Sequence, residues 1–141
     1  MATQEKNSVT IKTTIHAPVA KVWEYWTNPA HIVKWNSASE DWHTPSASND
    51  LRVEGRFTSR MEARDGSQGF DFGGVYTAVD EHARIEYTMD DNRTVKVLFD
   101  GDGETTHVTE TFDTENTFPV EVQRAGWQSI LDSFKKYTEE N

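Results

Sequence analysis

Hydrophobic positions change period three times along the chain, and each change marks a change of element. Val9, Ile11, Thr13 and Ile15 alternate with Thr10, Lys12, Thr14 and His16, the period-two signature of a strand. Ala17-Pro18 follows, with proline suited to a first helical position, and Val19, Val22, Trp23 and Trp26 then recur at helical spacing. Asn28-Pro29 repeats the cap-then-proline signal, which predicts a second short helix ending near Lys34. From Glu40 onward the period returns to two. Residues 52–63 place Val53, Phe57 and Met61 on one face and Arg52, Glu54, Arg56, Arg60 and Glu62 on the other. Asp65-Gly66 reads as a hairpin turn, after which Phe70, Phe72 and Tyr76 continue the apolar face. Ile85, Tyr87 and Met89 form the next strand, and Val95, Val97 and Phe99 another beyond a turn at Asp91-Asn92. Gly101-Asp102-Gly103 turns into a last strand with Val108, Glu110 and Phe112 on one face and His107, Thr109 and Thr111 on the other. A terminal helix opened by Pro119 carries Trp127, Ile130, Leu131, Phe134 and Tyr137 as an i, i+3, i+4, i+7, i+10 stripe.

This order predicts an α+β fold: a curved antiparallel sheet of about seven strands, two short helices after the first, and a long C-terminal helix across the sheet. Residues 1–141 read as one domain with residues 1–7 a polar tail, and no internal repeat or linker interrupts it. A helix laid over a curved sheet tends to leave a pocket. Its expected walls are Trp42, Phe57, Met61, Phe70, Phe72, Tyr76, Tyr87, Phe99 and Phe112 from the strands, with Trp127, Ile130 and Phe134 from the helix. Each of these side chains could equally fill a solid core. Gly126 interrupts the helix at a cost of about 1 kcal/mol relative to alanine, for which a close packing neighbour is the simple expected reason.

Composition narrows the partners. Only 35% of residues are hydrophobic, so the aromatic 11%, five of them tryptophan, must carry much of the burial. The net charge of −10 has the wrong sign for holding nucleic acid or an anionic membrane surface. The absence of cysteine removes disulfides, thiolate zinc sites and a thiol nucleophile. The polar start lacks the apolar core of a signal peptide, and no stretch approaches the roughly 18 apolar residues of a membrane helix. The expectation is a cytoplasmic protein without membrane insertion.

Glu110 is the sharpest chemical candidate. Pointing inward between Val108 and Phe112, its carboxyl would have its pKa raised by desolvation unless Arg124 or His107 compensates. It could orient a ligand or act as a general base; a structural ion pair near the sheet end is the plainer alternative. His43, after Glu40-Asp41-Trp42, could shuttle protons at a pocket mouth, against the plainer reading of a lone exposed or satisfied histidine. The five histidines, at 16, 31, 43, 82 and 107, form no i, i+4 pair, so no metal is assigned, and no other cofactor either. Asp100-Gly101-Asp102-Gly103-Glu104 looks like a calcium loop, but Thr105 and Thr111 stand where that loop needs glycine and glutamate.

Several stretches together carry a resemblance. They are Ala17-Pro18-Val19-Ala20-Lys21-Val22-Trp23, Trp35-Asn36, Asp41-Trp42-His43-Thr44-Pro45, Gly55-Arg56-Phe57, Gly74-Val75-Tyr76-Thr77, Thr109-Glu110-Thr111-Phe112 and Gly126-Trp127 through Phe134. In their order the chain resembles the helix-grip fold of the START-like (SRPBCC) superfamily, which includes steroid-transfer domains, polyketide cyclases and pollen-allergen-type carriers. Within it, the residues are similar to the branch of activators of the heat-shock-protein-90 ATPase, the AHSA-type domain. The resemblance implies first a binding role for a small hydrophobic or aromatic molecule, lipid or polyketide-like, between sheet and C-terminal helix. It implies second a cyclase or dehydratase using the inward carboxylate of the same pocket. A chaperone partner comes last, since the chaperone activators carry a large separate domain ahead of the one matched here.

Overall fold

The computed structural model describes residues 8–37 and 39–141; the polar tail expected at 1–7 lies outside them. The elements are β1 (Ser8–Ile15), α1 (Val19–Thr27), α2 (Pro29–Trp35), β2 (Trp42–Asn49), β3 (Arg56–Ala63), β4 (Gly69–Asp80), β5 (Arg84–Met89), β6 (Thr94–Asp102), β7 (Thr105–Asp113) and α3 (Val120–Glu140). They build the expected α+β helix-grip architecture, a seven-stranded antiparallel sheet in the order β1-β7-β6-β5-β4-β3-β2 with α3 packed across it.

The helical insert sets that order. Strands β2 to β7 form a meander in which each pairs with the next, while β1 pairs with β7 at the far edge. The chain must therefore cross the sheet between β1 and β2, and α1 and α2 make the crossing. Asn28 separates them: its side chain accepts from the Ala30 N–H at 3.0 Å and Pro29 fills the first turn of α2. Three hydrogen bonds fix the resulting V, one within it and two to β2. Asn49 Nδ2 donates to Thr27 O at 2.6 Å, Trp35 Nε1 to Tyr25 O at 2.8 Å, and Thr44 Oγ1 to Asn36 O at 2.5 Å. At the other end α1 rests on β6, where a Cβ on Gly101 would stand 2.8 Å from the Val19 Cβ.

The period-two reading holds along β5, β6 and β7, where Ile85, Tyr87, Met89, Val95, Val97, Phe99, Val108, Glu110 and Phe112 are all buried. It fails in two places. Val53 does not share the strand face of Phe57 and Met61; it lies 53% exposed in a turn before β3, next to Glu54 at φ +72°. The turn is closed locally, with Arg52 N–H donating to Asp50 O and Gly55 N–H to Arg52 O. In β4 a bulge between Tyr76 and Ala78 shifts the inward positions from even to odd numbers, so Val79 rather than Ala78 joins the core. The second helix runs one residue further than expected, to Trp35.

Helix α3 makes two kinds of contact with the sheet. One stripe, Trp127, Ile130, Leu131 and Phe134, packs on the inner face. A second stripe runs along the free edge of β1. Lys135 Nζ donates to Thr14 O at 2.9 Å, and Glu139 Oε2 accepts from the His16 N–H at 2.8 Å. Gln128 and Arg124 reach Lys12 O and Thr10 O at 3.4 and 3.5 Å. An edge strand's unpaired backbone groups invite pairing with another chain, and here the helix occupies them. Among the described residues no helix is long and apolar enough to cross a membrane.

The two helix-associated glycines should respond oppositely to alanine. A Cβ on Gly126 would meet nothing within 4 Å, so the expected packing neighbour is absent. Gly126→Ala should therefore stabilise the protein by up to about 1 kcal/mol, raising Tm by about 3 °C. Gly101→Ala should destabilise it by about 1–3 kcal/mol, because Val19 must give way. Thermal unfolding followed by circular dichroism measures both; a loss of stability in Gly126→Ala would contradict the open space.

Candidate functional site

Antiparallel register lines up the inward residues in rows across the strands. One row reads Ile11, Glu110, Val97, Ile85 and Val79; the next reads Val9, Phe112, Val95, Tyr87 and Tyr76. The first row is thus an apolar ladder containing one carboxyl. Above the second row, Trp127 of α3 stacks on Phe112 with ring centroids 4.1 Å apart and planes 8° from parallel. Phe134, about two turns further along α3, meets Trp26 and Trp35 edge-on at 4.8 Å each. These contacts hold α3 and the V of α1 and α2 over the sheet, and a cavity of about 160 Å³ remains beneath them.

Of the side chains expected in the walls, Phe57, Met61, Phe72, Tyr76, Tyr87, Glu110, Trp127 and Ile130 line this cavity. Phe70 lines it too, at the mouth, where 49% of it is exposed. Four others sit elsewhere. Phe99 packs against Trp23 and Trp26 under α1, and Phe112 and Phe134 are fully buried in the stacks just described. Trp42 packs on Phe70 outside the cavity, on the β3–β4 turn side. The lining also holds Trp26, Ile32 and Trp35 from the helical insert, Asn36 beyond it, and Ser48, Ser59 and Ile85 from strands. Ser59 was findable: it shares the period-two face of Phe57 and Met61. The insert residues had no such signal, because the Asn28-Pro29 break divides their spacing between two helices.

Glu110 is only 5% exposed, and burial in the apolar row raises its pKa from 4.5 to about 8. Neither expected partner compensates. Arg124 lies outside, 3.6 Å from Glu121, and His107 is on the opposite face with Nδ1 3.0 Å from Thr14 Oγ1. Among the described residues no hydrogen bond or ion pair reaches the Glu110 carboxyl. Tyr87 is its polar neighbour: burial first, then the nearby Glu110, push the phenol's pKa well above its ordinary value. The Tyr76 hydroxyl is engaged, donating to Asn49 Oδ1 at 2.5 Å. Burial raises its pKa as well. His43 lies away from the cavity, half exposed on β2, opposite Glu62 in the register and 3.9 Å from its carboxylate. Among the described residues no group of three or more His, Asp or Glu could hold a metal ion.

The buried carboxyl makes stability depend on pH with a definite sign. The unfolded chain releases this proton near 4.5 and the folded chain near 8, so the folded state binds more protons between those values. Stability therefore falls as pH rises through this window, by several kcal/mol once the carboxyl is ionised. Glu110→Gln should remove this fall and leave the variant the more stable protein at about pH 9. Urea midpoints of both proteins between about pH 5 and about pH 9 decide it, and parallel profiles would refute the assignment.

Comparison with known proteins places this geometry. The model of the family described as "Activator of Hsp90 ATPase homolog 1-like protein" matches residues 16–139. A search of curated proteins found no match. The solution structure of an AHSA1-like protein from Aeromonas hydrophila is 45% identical and superposes with a TM-score of 0.89, covering 95% of this chain and 93% of that one. A solution structure from Cytophaga hutchinsonii is 52% identical with a TM-score of 0.82 over 95% and 93% of the two chains. A Nitrosomonas europaea crystal structure, 18% identical over 94% of each chain, shares the fold at a TM-score of 0.80. The chain belongs to the family of activator of Hsp90 ATPase homolog 1-like proteins, within the START-like fold.

Proposed function

We propose that this protein is a binding module for a small, compact, largely apolar molecule held between sheet and α3. The observation that carries this reading is the Glu110 carboxyl: buried, without a partner among the described residues, and lining a cavity walled mainly by aromatic rings. A buried polar group without a partner is costly, and a ligand's polar atom would offset that cost. The ring walls would contribute about 25 cal/mol for each Å² of apolar ligand surface removed from water. Size limits the guest. Typical ligand pockets run about 300–1,000 Å³, whereas a cavity of about 150 Å³ takes up benzene. The 160 Å³ here suits one ring. A lipid or a multi-ring polyketide would require α3 or the β3–β4 hairpin to move outward.

Binding is preferred to catalysis because Glu110 has no histidine or tyrosine hydrogen-bonded to it among the described residues, and so no acid–base relay. A second reading, a chaperone ATPase co-factor, draws on the family's description and on an exposed apolar run at the start of α3. Phe118 and Val122 there are 59% and 56% exposed. Its measure is the turnover of a heat-shock-protein-90 ATPase with and without this protein; unchanged turnover at saturating ratios ends that reading.

For the preferred reading, toluene, phenol and indole titrated into labelled protein should give saturable NMR shifts at Met61, Trp35 and Trp127. Ser59→Leu, which fills the cavity from the sheet side, should weaken those shifts roughly tenfold or more while the fold is retained. If no titrant produced a saturable shift at cavity residues, the binding role would be abandoned.

A further inference from the structure

The charge character of the cavity is one-sided. Among the described residues its ionisable lining groups are Glu110, Tyr76 and Tyr87, all acids, with no lysine, arginine or histidine. The helices present Trp26, Ile32, Trp35, Trp127 and Ile130 to it, none of them titratable. On the sheet, Ile11 and Val97 flank Glu110 across the strands. Arg93 and Arg124 are already engaged, Arg93 with Asp91 at 2.7 Å and Arg124 with Glu121 at 3.6 Å on the outer surface. What remains among the described residues is a carboxyl without a counter-ion in a cavity lined by aromatic rings, whose faces carry the negative part of the quadrupole. The chain as a whole carries −10, which attracts a positively charged guest.

From this arrangement we infer that the cavity selects a small organic cation, an ammonium carried on a single ring or compact alkyl group, with the Glu110 carboxylate as counter-ion. The inference rests on the binding role proposed above and specifies its ligand class. Ring faces attract a cation independently of the carboxylate, so the two features reinforce one another. A neutral isostere would leave the carboxyl protonated and gain only the contact with the walls. An anion would meet both the carboxyl and the ring faces with the wrong sign. Because the empty site holds its proton up to about pH 8, an ammonium bound at neutrality displaces that proton. Its affinity accordingly rises with pH until the carboxyl is ionised, while Tyr76 and Tyr87, both held protonated by burial, do not interfere.

Titration calorimetry of the full chain with benzylammonium, benzyl alcohol and phenylacetate at about pH 7.5 tests the inference, since the three differ mainly in charge. Benzylammonium should bind roughly tenfold or more tighter than benzyl alcohol, and phenylacetate weakest. Glu110→Gln, with its fold checked by circular dichroism, should bring benzylammonium to the level of the alcohol. Benzyl alcohol binding as tightly as benzylammonium to the unmodified protein would overturn the cation preference and leave the binding role standing. No binding by any of the three would overturn both. The comparison on the unmodified protein is decisive even if the variant does not fold.

Discussion

The position of α3 is the constraint on which the rest of the molecule depends. Its apolar stripe is pinned at one level by the Trp127–Phe112 stack and at another by Phe134 between Trp26 and Trp35. Its polar stripe is pinned to the backbone of β1 through Lys135 and Glu139. A helix fixed on both its face and its flank can neither roll nor sink into the concavity of the sheet. The gap below it is therefore a property of the scaffold, since large rings set how far the helix stands off. The same contacts cover the β1 edge, so one element serves both to hold the cavity open and to block edge pairing.

The helical insert does the equivalent work at the other end. Trp35 is fixed by its bond to Tyr25 O, and the α1 C-terminus by Asn49, which also receives the Tyr76 hydroxyl. This single asparagine links the turn between the helices to a tyrosine in the cavity wall. Tyr76 is thereby spent on structure, whereas Tyr87 and Glu110 are left facing the space. The division leaves Tyr87 and Glu110 on two adjacent rows of β5 and β7.

Much of this was legible in the sequence, and the boundary of legibility has a physical origin. Strand periodicity reports which side of the sheet a residue faces, and it placed Glu110, Phe57, Met61, Tyr87 and Phe112 on the inner side correctly. It does not report depth. Phe99, Phe112 and Phe134 share that side with the lining residues but are sealed within the packing behind the cavity, while Phe70 sits beyond the cover of α3. Turn and bulge chemistry interrupts the period where backbone closure overrides it, as at Val53 and after Tyr76. The contributions of Trp26, Ile32 and Trp35 depend on the angle of the V, which is fixed by tertiary hydrogen bonds that no local pattern encodes.

A buried glutamate in an apolar row is a poor choice for stability alone. Valine or isoleucine at position 110 would extend the ladder of Ile11, Val97 and Ile85 without any desolvation cost. Among the described residues no group is bonded to the carboxyl, so the fold draws no hydrogen bond from it there. Local rules for a foldable sequence are broken where another requirement competes with them, and here the break lies at a carboxyl lining a space that the aromatic scaffold holds open. That coincidence of an avoidable cost with an accessible void argues for a guest more strongly than either feature would separately.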